Sequence, residues 1–294
     1  MQITANGIKL DIETFGPADG IPLILIRGLG SQLIHWPSEL THGLAARGYR
    51  VVIFDNRDVG QSERCPDPDV PTKAEALLDI AQSAATVPTA YALADMARDV
   101  TGLMDALDIK TAHIFGISMG GMITQLLAIH HAKRLRSASM VMTSARPEND
   151  PRTVRELLAY PTDQADYVEG WVQEHAQNGS PGYPMTEAEI RDQAEIAWSR
   201  GVDAEGINRQ LLAIMAASDR RPDLPSITVP CQVIHGTDDA LIPLDLGAEI
   251  AGLIPGCHYH AIDGMGHIIT PALAPLIVGL IDDFISGLSN QAPP

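Results

Sequence analysis

Ser118 stands between two glycines in Gly116-Ile117-Ser118-Met119-Gly120, a spacing that suits a hydroxyl nucleophile. The apolar run 112–115 precedes it and an amphipathic stretch follows, so the expected setting is a strand, a very tight turn and a helix. Such a turn forces the serine into a strained backbone conformation, and the glycines leave room where strand and helix cross. The hydroxyl is then presented beside a helix N-terminus, whose amides favour developing negative charge.

A serine hydroxyl attacks poorly unless a base removes its proton. Ten histidines compete for that role. His267, in Gly264-Met265-Gly266-His267, follows the last strand candidate, 258–262, and falls on a loop at one edge of the expected sheet. His258 and His260 lie within that strand candidate and His130-His131 in a helical stretch, where structural or surface roles are expected. We therefore assign the base to His267. Its second ring nitrogen needs a carboxylate that fixes the tautomer and stabilises the imidazolium. Asp238 and Asp239 both follow the strand candidate 231–234. We assign Asp239, with Asp238 as a turn residue bonding nearby amides, and the exchange of the two is the other arrangement the sequence allows.

An acyl-transfer oxyanion requires two amide donors. One is the amide of Met119, next to the nucleophile. The second is expected in Arg27-Gly28-Leu29-Gly30, after the first core strand, where we assign the amide of Leu29 and give Gly28 the role of shaping the turn against the substrate. Trp36 is placed beside the same pocket. No metal or organic cofactor is called for by any of these roles.

The elements that must position these groups can be read from the apolar runs 23–26, 51–54, 112–115, 138–142 and 231–234, each bounded by Gly, Asp or Pro. Short runs that are apolar on both faces read as buried parallel strands, and helical patterns at 90–107 and 119–135 alternate with them. The fold class expected is α/β, a mostly parallel doubly wound sheet. Residues 3–14 read as an antiparallel edge pair turning at Asn6-Gly7. The apolar stretch 268–281 reads as a core helix, since Pro271, Pro275 and Asp282-Asp283 interrupt and close it before it could span a bilayer. Residues 146–225 carry helical patterns and no strand-like run, so we divide the chain into a core of 1–145 and 226–294 and an inserted helical cap of 146–225.

Composition narrows the partners. The formal net charge of −17, from 37 acidic and 20 basic residues, repels phosphate backbones and anionic lipid headgroups, so neither nucleic acid nor membrane is expected as a partner. Three cysteines with no C-x-x-C spacing suggest neither a disulfide framework nor a zinc site, and the N-terminus lacks a basic and apolar export signal. A cytoplasmic chain acting on a small molecule is expected, and the sequence is compatible with a homo-oligomer.

The chain resembles the α/β-hydrolase superfamily over nearly its whole length and is similar to aclacinomycin methylesterase-like carboxylesterases. That likeness is carried by Asp55-Asn56-Arg57-Asp58-Val59-Gly60-Gln61-Ser62, by the elbow 116–125 and by Gly264-Met265-Gly266-His267. The resemblance implies an ester hydrolase that works through an acyl-enzyme. Cofactor-free haloperoxidases and carbon-carbon bond hydrolases share the triad, and some members of the fold bind ligands without catalysis. Dehalogenases and epoxide hydrolases carry aspartate at the elbow, where this chain has serine. Many relatives place His-Gly where this chain has Arg27-Gly28. Arg27 is read as half of a structural ion pair, with a substrate anion as the other reading. Asp55, Arg57 and Ser62 are read as bracing a turn beside the oxyanion loop.

Overall fold

Alternation of side chains between two apolar layers builds the central sheet. The computed structural model describes residues 1–83, 86–147, 150–159, 161 and 163–291, the side chains of 289–291 excepted. The elements in the first half are β1 (Gln2–Ala5), β2 (Ile8–Phe15), β3 (Ile21–Ile26), α1 (Ser38–Ala45), β4 (Tyr49–Phe54), α2 (Ala74–Gln82), α3 (Leu93–Ala106), β5 (Ala112–Ile117) and α4 (Met119–His130). After them come β6 (Leu135–Val141), α5 (Pro151–Leu157), α6 (Gln164–Asn178), α7 (Glu187–Arg200), α8 (Ala204–Met215), β7 (Cys231–Gly236), α9 (Leu244–Leu253), β8 (His258–Ile262) and α10 (Ala274–Gln291).

The eight strands are ordered β1-β2-β4-β3-β5-β6-β7-β8. The pairs β1/β2 and β2/β4 are antiparallel and all later pairs are parallel. This is the α/β-hydrolase arrangement expected from the sequence. In β3, Ile24 and Ile26 face a core shared with α3, α4 and α9, while Leu23 and Leu25 face one shared with α1 and α10. Both faces are buried, which is why these strands read as unbroken apolar runs.

Two expected boundaries moved. The helix read at 119–135 stops at His130, because Leu135 and Ser137 join the β5 ladder opposite Ala112 and His113. The stretch 268–281 is not all helix. Thr270 caps the start of α10, its hydroxyl accepting from the Leu273 amide at 3.3 Å and its carbonyl from the Ala274 amide at 3.0 Å. Pro271 thus falls outside the helix and Pro275 in its first turn, where a missing amide costs nothing.

Between β6 and β7 the described residues form α5 to α8 and no strand. Buried ion pairs tie this insertion to the sheet edge. Arg200 reaches Asp55 at 2.7 Å and Asp11 at 3.1 Å, and Arg209 grips both oxygens of Asp58 at 2.7 and 3.0 Å. Among the described residues no helix is long and apolar enough to cross a membrane.

Candidate active site

Neighbouring parallel strands β3 and β5 send their chains to opposite sides of the sheet, which opens a crevice at their C-terminal ends. With Ile26 paired to Gly116, the turn after β3 and the turn after β5 emerge together. Their contact is close: a Cβ on Gly28 would lie 3.0 Å from Ser118 Cβ and 3.5 Å from its Oγ. A side chain there would press on the serine, and glycine avoids that contact.

Ser118 sits in the elbow with φ 54° and ψ −120°, a conformation that side-chain-bearing residues avoid. Its surroundings hold it there. The Ser118 amide donates to Val141 O at 3.0 Å, and its carbonyl accepts from the amides of Gly121 and Met122 and from Thr143 Oγ1 at 2.8 Å. A Cβ on Gly120 would stand 2.2 Å from Ile26 O, so the helix can start this near β3 only with glycine there.

The turn after β7 supplies Asp239 and the loop after β8 supplies His267. His267 Nδ1–H donates to Asp239 Oδ2 at 2.8 Å, and Ser118 Oγ–H points at His267 Nε2 over 3.0 Å. Asp239 Oδ1 accepts from the amides of Leu241 and Ile242 at 3.1 and 2.8 Å. Burial alone would raise this carboxyl, but the facing His267 ring and the bonds from His235, His267 and the Ile242 amide outweigh it and hold Asp239 well below the usual carboxylate range. Asp238 instead accepts from the Gly264 amide at 3.0 Å and from Thr237 Oγ1. The adjacent carboxylates thus face different partners, and only Asp239 reaches the imidazole.

The amides of Leu29 and Met119 donate to no acceptor among the described residues. Trp36 is buried and packs on Phe115 with ring centroids 5.9 Å apart. Asp55 accepts from the amides of Leu33 and Gln61, Ser62 Oγ donates to Asp55 O, and Arg57 pairs with Asp99. The ion pair expected for Arg27 is absent among the described residues. Its guanidinium lies over the Trp36 ring at 4.7 Å, and Nη1 donates to His35 O at 3.3 Å.

Several site neighbours carried no signal in the sequence. His235 Nε2–H donates to Ile242 O at 2.8 Å and lies 3.5 Å from Asp239 Oδ2, backing the carboxylate. Gln210, in α8, accepts from the Gly30 amide at 2.9 Å and donates to Arg57 O at 2.7 Å. The end of α6 reaches the histidine loop, where Asn178 O accepts from the His267 amide at 2.7 Å and Ser180 Oγ accepts from the Gly266 amide at 3.0 Å. A periodicity argument sees only a buried strand at His235, a helical face at Gln210 and a helix end at Asn178.

The chain belongs to the α/β-hydrolase fold family, which residues 21–181 match. It is 27% identical over 299 residues to a protein of Variovorax paradoxus (strain S110) provisionally named as the carbamate hydrolase RutD, with 98% of this chain and all of that one covered. It is 25% identical to rhodomycin D methylesterase DnrP of Streptomyces peucetius, covering 92% of this chain and 93% of that one. Among solved structures, the enol-lactonase from Burkholderia xenovorans LB400 superposes with a TM-score of 0.73 at 28% identity, covering 97% of this chain and all of that one.

Proposed function

We propose that this protein is a serine carboxylesterase that hydrolyses a small to medium ester through an acyl-enzyme. The observation that carries the reading is the continuous line from Ser118 Oγ through both nitrogens of His267 to Asp239, 3.0 and 2.8 Å long. In this reading Ser118 attacks the ester carbonyl while His267 Nε2 takes its proton, and Asp239 stabilises the resulting imidazolium. The amides of Leu29 and Met119 receive the oxyanion. His267 then protonates the leaving alkoxide, and water repeats the sequence on the acyl-serine.

A methylesterase and an enol-lactonase among the relatives favour an ester bond as the target. Three free cysteines suit a cytoplasmic location. Substitution Ser118→Ala should abolish p-nitrophenyl ester turnover and fluorophosphonate labelling while circular dichroism stays unchanged. Wild-type rates in that variant, or a folded wild type that no fluorophosphonate labels, would reject the assignment.

A further inference from the structure

Beside the triad lies a second cluster whose hydrogen-bond donors lack acceptors. Arg27 Nε, His35 Nε2 and Trp36 Nε1 are all buried, and none has a hydrogen-bond partner among the described residues. The side chains themselves are 7%, 4% and 4% exposed. His35 Nδ1 accepts from the Gln32 amide at 2.9 Å, so the ring carries its hydrogen on Nε2 and presents a donor. The ring of His175 lies 5.3 Å from that of Trp171, which lies 4.3 Å from the ring of His35; His175 Nδ1–H donates to Trp171 O at 2.8 Å, so its unpaired Nε2 is an acceptor and not a further donor.

The cluster borders the catalytic groups on two sides. Arg27 precedes Gly28, the glycine that touches Ser118. His175 is three residues before Asn178, whose carbonyl holds the His267 amide. Among the described residues no carboxylate pairs with Arg27, although the chain carries 37 acidic residues. The nearby Asp55 is already engaged by two amides and Arg200. Burial pushes the Arg27 guanidinium down to about 9 and, with Arg27, His175 and Arg200 nearby, holds His35 well below its usual range.

A water molecule can accept from a buried N–H, but it leaves a buried guanidinium without a counter-charge, which is strongly unfavourable. A carboxylate answers both needs, since it supplies one negative charge and two oxygens that accept from several donors at once. We infer that Arg27, His35 and Trp36 form a subsite for a carboxylate carried by the substrate, so that the preferred substrate is an ester with a free acid group, such as a half-ester of a dicarboxylic acid. The bond cleaved rests on the esterase reading above. The anion site itself does not.

Binding to Ser118→Ala separates the two. By titration calorimetry, monomethyl esters of the succinate-to-adipate series are compared with the corresponding neutral dimethyl esters. At least one half-ester should bind about tenfold or more tightly than its neutral partner. That preference should disappear in Ser118→Ala carrying Arg27→Met and persist in part with Arg27→Lys. Should Arg27→Met fail to fold, the comparison in the Ser118→Ala parent still decides. Equal affinity for acid and neutral esters, or no binding of any half-ester to folded protein, overturns the inference. Fluorophosphonate labelling of the wild type reports separately on the esterase reading.

Discussion

Gln210 holds Gly30 from across the molecule: its side-chain carbonyl accepts the Gly30 amide at 2.9 Å while its amide nitrogen donates to Arg57 O at 2.7 Å. An insertion helix thereby fixes the backbone of the loop that presents the Leu29 amide. Gln210 is a positioning residue in this arrangement, since it contacts the loop and not the reacting atoms.

Removing that brace should weaken transition-state binding more than substrate binding. With Gln210→Leu the buried Arg57 carbonyl and the half-buried Gly30 amide lose their partners, at about 1–3 kcal/mol in stability for the buried one and less for the other. We expect kcat to fall roughly tenfold with KM changed much less, and affinity for a boronic acid inhibitor to fall in parallel. Equal losses in KM and kcat/KM, with unchanged boronate affinity, would assign Gln210 to substrate binding instead.

The two adjacent aspartates can be told apart by rate. Asp239→Asn should lower kcat by roughly 10³-fold or more, because the amide no longer favours the tautomer that accepts the serine proton. Asp238→Asn, which disturbs only the acceptor for the Gly264 amide and Thr237 Oγ1, should stay within about tenfold of wild type. A reversed order of these two rates would move the acid role to Asp238.

Strain at the elbow has a measurable sign. At φ 54° Ser118 occupies backbone space that glycine tolerates and alanine does not. Ser118→Gly should therefore melt above Ser118→Ala, by about 1 kcal/mol, although glycine ordinarily destabilises relative to alanine. Both variants should be inactive. Thermal unfolding of the pair checks this, and a lower melting point for the glycine variant would contradict it.

Acid should weaken the fold from pH 6.5 downward. His113 lies buried in β5, with Nδ1 2.7 Å from Ser137 Oγ, and burial, aided by Arg136, pushes it down to about 4. The unfolded chain binds that proton near pH 6.5. The contribution of His113 to stability is thus complete above that value and is lost as pH falls through 4. Urea midpoints measured at about pH 7 and about pH 4.5 should differ in wild type and differ less in His113→Gln. An unchanged difference in the variant would remove His113 as the cause.

Sequence reading located what depends on local chain geometry. The glycines around Ser118, the strand before it and the loop carrying His267 are features of a few consecutive residues, and each appears in the structure at the expected edge of the sheet. The sequence left the exchange of Asp238 and Asp239 open, and the structure shows the turn after β7 pointing these successive side chains to different partners. What was illegible depends on distant juxtaposition. Gln210 and Gly30 are 180 residues apart, and nothing in either stretch marks the pairing. Arg27 reads from the sequence as half of an ion pair or as a partner for a substrate anion, and its stacking on Trp36 follows from tertiary packing that neither reading contains. The start of α10 was misplaced because apolar content at 268–273 outweighed Pro271 in the periodicity reading, whereas the Thr270 cap sets the boundary.

The bond from the His267 amide to Asn178 O joins the loop after β8 to the end of α6. Chimeras that exchange 146–225 for the same region of another hydrolase would replace this tether together with α5 to α8, so any change in selectivity would come with a change in turnover. The Asn178 contact uses main chain and survives any side-chain change at 178. Ser180 has no such latitude, since its hydroxyl both accepts from the Gly266 amide and donates to Ile268 O. Grafts that retain 178–182 with their native partners at 264–268 would let the rest of 146–225 vary while the imidazole stays in place.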